Sequence, residues 1–165
     1  MNMERLIHTI PAVWDENSRI LILGSFPSVK SRESEFFYGH KQNRFWPLLA
    51  RLTGEETPIT VKEKKDLLIK NHIALWDVAA SCEISGSSDA SMRSVVPNDI
   101  SPILKSSRIK AVFTNGGKAY ELYKRHIGPK VKIEAIPLPS TSPANARMSL
   151  DDLVSEWNKI TNLIK

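Results

Sequence analysis

Between residues 21 and 49 the chain reads LILGSFPSVKSRESEFFYGHKQNRFWPLL. An apolar run ends in Gly24-Ser25-Phe26-Pro27-Ser28, and beyond a polar stretch Phe36, Phe37, Tyr38, His40, Asn43, Phe45 and Trp46 crowd together. A strand that empties into a small-residue turn presents backbone N–H groups at its carboxyl end, where open α/β sheets bind ligands. Aromatic faces beside an amide side chain suit a flat, hydrogen-bonding heterocycle such as a nucleobase. The bland alternative is a helix start plus core aromatics. In that reading Asn43 is the N-cap of an NRFWPLL helix, Phe45, Trp46, Leu48 and Leu49 are core, and Arg44 is a surface residue.

Three further segments carry polar chemistry. Leu138 to Arg147, LPSTSPANAR, combines hydroxyls, an amide and a basic residue, which together suit phosphate oxygens. Asn115-Gly116-Gly117 precedes a helical pattern, so it is either an anion-friendly N-terminus or a simple turn. Gly86 to Ser91, GSSDAS, is either a surface loop or a lip of a cleft. Asp77 and Asp89 are the acids near strand ends. Either could be a general base, although an exposed loop aspartate is the commoner case.

Several chemistries are disfavoured. GSFPS lacks the Lys-Ser/Thr of a Walker loop and the glycine spacing of a dinucleotide fingerprint, so neither ATP nor NAD is expected. No Ser-His-Asp order is recognisable, and Cys82 has no nearby histidine, which argues against nucleophilic hydrolysis. The single cysteine excludes an intrachain disulfide and any four-cysteine cluster. The four histidines show no metal-ligand spacing. No metal and no cofactor are expected.

With 165 residues the chain fits one domain, 1–165, with room for a sizeable core. A net charge of +5 and a pI near 9.4 suit a polyanionic partner. The basic run Lys62 to Lys65 reads instead as a solvated helix face. No apolar run is long enough to span a membrane, and the N-terminus is a poor signal peptide, so a cytoplasmic monomer is expected.

Four β-rich segments stand out, Arg19 to Leu23, Ile73 to Val78, Ile109 to Thr114 and Val131 to Leu138. Helical patterns separate them: Asn43 to Leu52, Lys62 to Lys70 with Asn71 as stop, Asn98 to Lys105 with Asn98 as N-cap, and Gly117 to His126 ending at Gly128. A last helix begins at a Ser149/Asp152 capping box and carries the stripe Leu150, Leu153, Val154, Trp157, Ile160, Ile164. Alternation of strands and helices predicts an α/β fold, a three-layer α/β/α sandwich around a four-stranded, mainly parallel sheet. The loops Gly24 to Gln42, Ala79 to Pro97, Asn115 to Gly117 and Pro139 to Arg147 would then converge on one cleft.

GSFPS, YGHKQNRFW, LWDV, SSD, NG and LPSTSPANA occur in that order from Ile20 to Trp157. The combination resembles the uracil-DNA glycosylase superfamily, and within it the hypoxanthine-DNA glycosylase branch. The resemblance implies cofactor-free excision of a deaminated base from DNA. It maps the catalytic asparagine onto Asn43, which would orient water or bind the leaving base. Gly24, Ser25, Phe26, Pro27, Tyr38 and Asn115 become base-binding residues, with Phe37 a second candidate for stacking. Ser28, Ser140, Thr141, Ser142 and Arg147 become DNA contacts, the loop Pro139 to Arg147 clamping phosphates and filling the vacated stack. Phe26 stands where mismatch-specific uracil enzymes carry a catalytic asparagine. Leu138 stands where the main uracil enzymes carry a histidine, and their first-motif aspartate is missing. Hypoxanthine is therefore the expected substrate. The alternatives are a mismatch-type uracil glycosylase and a non-catalytic nucleic-acid-binding relative, the latter disfavoured by Asn43. A small-molecule α/β hydrolase lacks its triad.

Overall fold

The computed structural model describes residues 4–85 and 91–165. Its centre is the strand β2 (Ile20–Gly24), every residue of which is buried. Such a continuous apolar run suits a strand covered on both faces. It pairs in parallel with β3 (Ile73–Asp77) on one side and β6 (Ala111–Asn115) on the other, and β7 (Ala135–Leu138) extends the sheet beyond β6. The order is β3-β2-β6-β7. The chain therefore leaves β2 toward one edge and later crosses to the other. This reversal opens a crevice at the carboxyl ends of β2 and β6, where α/β folds bind ligands.

Alternate residues of β2 feed two cores. Ile20 and Ile22 join Leu75 and Phe113 beneath α2 (Phe45–Thr53), α3 (Val61–Lys70) and α7 (Leu150–Trp157). Leu21 and Leu23 join Ala74 and Val112 on the opposite face, covered by α4 (Ser101–Lys105) and α5 (Gly117–His126). Each fully buried Leu, Ile or Phe of these layers contributes about 1.5–3 kcal/mol by leaving water. The Ser149/Asp152 capping box forms as expected, and Leu153, Trp157 and Ile160 are fully buried. Trp157 also donates its indole N–H to Pro139 O at 2.9 Å, tying the last helix to the LPSTSP loop. Asn71 ends α3 as expected.

The four-stranded parallel sheet and flanking helices match the predicted architecture. A second sheet has no counterpart in it. Strand β1 (Glu4–Ile7) pairs antiparallel with β4 (Ala79–Ile84), which pairs with β5 (Arg93–Pro97). The span Ala79 to Pro97, expected as a cleft loop, is thus mostly two strands. AASCEI has weak β-propensity, RSVVP is a short run closed by a proline, and two register irregularities break the alternation that would have marked them. This sheet buries Cys82 and Ile84 against Leu21 and Leu23, sharing a layer with α4 and α5. The segment 86–90, and with it Asp89, lies outside the described residues.

Other boundaries moved for local reasons. A short helix, α1 (Val29–Ser34), interrupts the expected Gly24 to Gln42 loop, capped by Ser28. α4 starts at Ser101 rather than near Asn98, because Asn98 donates its side chain to Asp77 O at 2.8 Å. Gly128 does not cap α5; it opens a one-turn helix, α6 (Gly128–Val131), and this shortens the fourth parallel strand to Ala135–Leu138.

Candidate active site

A pocket of about 130 Å³ lies at the carboxyl ends of β2 and β6. Gly24, Ser25, Phe26, Pro27, Ser28, Tyr38, Asn43, Asn115, Ser140, Thr141 and Ser142 all line it. Arg147 does not, although it is exposed at the end of the same loop. Three residues complete the lining, Ser31, Phe37 and Asp77.

The GSFPS turn is rigid because β2 and β3 continue to pair across it. Val78 N–H donates to Gly24 O at 2.8 Å and Ala79 N–H to Ser25 O at 3.0 Å. Gly24 has no substitute. A Cβ there would lie 2.4 Å from Asp77 Oδ1 and 2.9 Å from the Tyr38 hydroxyl oxygen. Ser28 then accepts Ser31 N–H to start α1, and the buried Ser31 hydroxyl accepts Gly39 N–H at 3.0 Å as the chain returns. That return holds Tyr38 at φ 53°, a left-handed conformation uncommon for a bulky residue. Its ring stacks on Phe45 with centroids 4.1 Å apart. Strained backbone over-determined by packing is a recurring feature of ligand sites.

Opposite this wall runs a hydrogen-bond chain whose directions are fixed by the backbone. Phe45 N–H donates to Asn43 Oδ1 at 2.9 Å, which identifies the oxygen of that amide. Thr141 N–H donates to Asn115 Oδ1 at 3.0 Å, so Asn115 Nδ2 is the donor to Thr141 Oγ1. The Thr141 hydroxyl must then donate onward to Asn43 Oδ1, 2.8 Å away. Both lone pairs of Asn43 Oδ1 are thereby occupied. Asn43 lines the pocket, and its Nδ2 amide hydrogens are the polar end that Phe45 and Thr141 do not engage. The N-cap of α2 is Arg44 and not, as the sequence suggests, Asn43; Asn43 Oδ1 nevertheless accepts the first helical N–H while the residue lines the pocket.

Arg44 departs most from expectation. It is a clamp rather than a surface residue. Its guanidinium donates to Ser142 O at 3.0 Å, Asn145 O at 2.9 Å and Met148 O, while Arg44 N–H donates to Thr141 O. The NRFW helix start and the LPSTSPANAR loop are therefore one unit. Gly116 makes room for that loop. Its φ of +96° disfavours a side chain, and a Cβ would sit 3.2 Å from Ser140 Cβ. Ser140 and Ser142 hydroxyls accept Ser142 N–H and Ala144 N–H at 3.1 Å, shaping the turn while staying half-exposed.

These contacts redistribute the expected roles. Thr141, expected as a DNA contact, is fully buried, and its hydroxyl is engaged inside the protein. Asn115, expected to bind a base directly, commits one hydrogen and one lone pair to Thr141. Ser28 caps α1. Asp77, in sequence an acid near a strand end and a candidate general base, is buried in the pocket wall at 3% exposure. Its partner, His8, carried no motif. The one available signal was an aspartate closing a strand, which needs a buried donor. Among the described residues, no group of three or more His, Cys, Asp or Glu side chains gathers as a metal site requires. No helix of the described residues is long and apolar enough to cross a membrane.

A parallel α/β sheet with a small-residue turn, stacked aromatics and an amide at its switch point has the shape and polar groups that suit a flat heterocycle. Comparison with known proteins assigns the class. Residues 11–161 match the uracil DNA glycosylase superfamily, and the chain belongs to that superfamily. A hypoxanthine DNA glycosylase of Methanosarcina acetivorans is 38% identical over 154 residues, covering 91% of this chain and 94% of the relative. One from Methanosarcina barkeri is 39% identical over 152 residues, covering 89% and 92%. Among solved structures, a solution NMR structure of a Methanosarcina acetivorans protein described as a candidate uracil DNA glycosylase superposes with a TM-score of 0.81 at 35% identity. It covers 96% of this chain and 99% of that one.

Proposed function

We propose that this chain is a monofunctional DNA glycosylase that removes hypoxanthine from deoxyinosine. The observation that carries the reading is Asn43, which lines the pocket with its Oδ1 filled by Thr141 and Phe45, leaving its amide hydrogens as the group it can offer a ligand. The names of the relatives support the same substrate.

In the reaction, the C1′–N9 bond of the flipped nucleotide breaks and its electron pair leaves with the base. Water adds to C1′ and loses a proton to solvent or to the departing base. An amide N–H aimed at the base stabilises the negative charge that grows on it, and one such positioned donor is worth about two to three orders of magnitude in rate. Because Asn43 Oδ1 is occupied, Asn43 acts as a donor to the leaving base rather than as the acceptor that orients water. Phe26 and Tyr38 offer faces to the base, and the turn at Gly24 and Ser25 offers its edge contacts. Hypoxanthine leaves more readily than adenine because the charge delocalises onto its carbonyl oxygen. Extrusion costs a few kcal/mol, less at a mispair. The Arg44-clamped loop, with Ser140, Ser142 and Arg147, grips the flanking backbone. The rival basic set is already engaged, since Lys62 pairs with Asp66 at 2.8 Å, and Lys64 and Lys65 lie over Trp46 and Phe36. No cofactor takes part in this scheme, and the chain works as a monomer.

Incubation with a deoxyinosine duplex in EDTA, then alkali, is expected to cut the strand at the lesion. An uncut strand at enzyme excess overturns the proposal.

A further inference from the structure

We propose that His8 is a positioning residue that fixes the Asp77 carboxylate as an acceptor for an N–H on the edge of the flipped base. The inference rests on the glycosylase reading and adds a determinant of which base is held. His8 precedes the segment that matches the superfamily, residues 11–161. It reaches Asp77, behind the pocket wall, through the second sheet. Strand β1 pairs with β4 up to Ile7 and Ser81, and His8 N–H donates to Ala80 O at 2.7 Å. This delivers the imidazole to the carboxyl end of β3, where Nε2 lies 2.8 Å from Asp77 Oδ2. The two side chains are 1% and 4% exposed.

The geometry fixes the tautomer. Ile10 N–H donates to His8 Nδ1 at 3.2 Å, so Nδ1 is an acceptor and the ring proton sits on Nε2, pointing at Asp77. The ring cannot swing away. Phe26, Phe37 and Trp76 pack around it with centroids 5.9, 6.1 and 6.3 Å distant. The backbone of Asp77 is held independently by Asn98. One carboxylate oxygen is thus consumed by His8. The other, Oδ1, is pressed against Gly24 close to the Tyr38 hydroxyl, where only a glycine leaves room.

A carboxylate in such a place is costly unless its lone pairs find donors. His8 supplies one, and Asp77 lines the pocket that would hold the base. An ionised carboxylate is acceptor-only. It matches a purine edge that carries N1–H, as hypoxanthine and xanthine do, and opposes one whose N1 is a bare lone pair, as in the unsubstituted purine of nebularine. Without His8, the carboxylate is free to rotate away from the geometry that makes this distinction.

The test uses the full chain and duplexes with 2′-fluoro-deoxyinosine or 2′-fluoro-deoxynebularine, whose fluorine resists glycosidic cleavage. Equilibrium titrations compare the wild type with His8→Phe, His8→Gln and Asp77→Asn, alongside melting temperatures and excision of ordinary deoxyinosine. The expected wild-type preference for the deoxyinosine analogue falls about tenfold or more in His8→Phe and in Asp77→Asn. His8→Gln, which keeps a donor, recovers most of it, and binding of undamaged DNA does not change in any variant. A structural role alone lowers the melting temperature without moving the preference. That outcome overturns the proposal, as does a wild type that binds both analogues equally. A wild type that prefers the deoxyinosine analogue but never excises the base leaves this inference standing and removes the glycosylase reading instead.

Discussion

The two walls of the pocket are built from opposite kinds of polar group. One wall is a chain of neutral amides and a hydroxyl, Asn115 to Thr141 to Asn43, in which the Thr141 hydroxyl and both amide oxygens have assigned partners. It ends in hydrogens offered to the ligand. The other wall holds a buried carboxylate supported by one imidazole, and it ends in lone pairs. Neutral chains are stable in a core because each member is satisfied. A buried carboxylate is retained only with a donor to compensate it. The comparison separates their tasks. The donor wall suits charge that grows on the departing base, and the acceptor wall suits recognition of the base before it leaves.

The donor wall is broken most severely at its end. Asn43→Ala is expected to lower the single-turnover excision rate by about two or more orders of magnitude. It also strands the Thr141 hydroxyl, so stability falls by about 1–3 kcal/mol in a urea titration. A variant that melts lower yet cleaves normally would return Asn43 to a helix-start role. The acceptor wall should fail differently. His8→Phe leaves Asp77 buried without its donor, and urea unfolding should show a loss of about 3 kcal/mol, with His8→Gln recovering part of it. An unchanged unfolding midpoint in His8→Phe would show that the pair contributes little to the fold.

Smaller changes sharpen the contrast. Thr141→Val keeps shape but cuts the link between Asn115 and Asn43, and is expected to reduce kcat about tenfold at nearly constant KM. Thr141→Ser should restore most of the rate, because only the hydroxyl is needed. If Thr141 touched DNA instead, KM would rise and the serine variant would show it least. The mildest expected effect lies outside both walls. Arg147→Ala should weaken lesion and plain DNA alike and lower the salt slope by about one. Lys62→Ala should leave that slope unchanged, since Lys62 is paired with Asp66. The reverse result would move the DNA grip from the loop to α3.

Much of the donor wall is legible in the residues themselves. GSFPS follows an apolar strand, and Asn43 precedes an amphipathic helix whose aromatics need burial. Those are local signals, and they put Asn43 and the turn in one pocket. The roles of Thr141 and Arg44 are not legible in this way. Both depend on partners about a hundred residues away, Thr141 on Asn43 and Arg44 on the LPSTSPANAR loop. A hydroxyl in a polar loop looks the same in sequence whether it faces phosphate or closes a buried chain.

Local signals in the chain specify the parallel sheet, the helices that cover it and the carboxyl-end loops that hold the site. Apolar runs of strand length and helical stripes ending in capping residues such as Ser149 and Asn71 act within a few residues of one another. The second sheet is an outcome of tertiary packing, and with it the approach of His8 to Asp77 across 69 positions. Strand pairing of weakly β-forming segments such as AASCEI is decided by what they pack against, here Leu21 and Leu23 of the central strand, and not by the residues themselves.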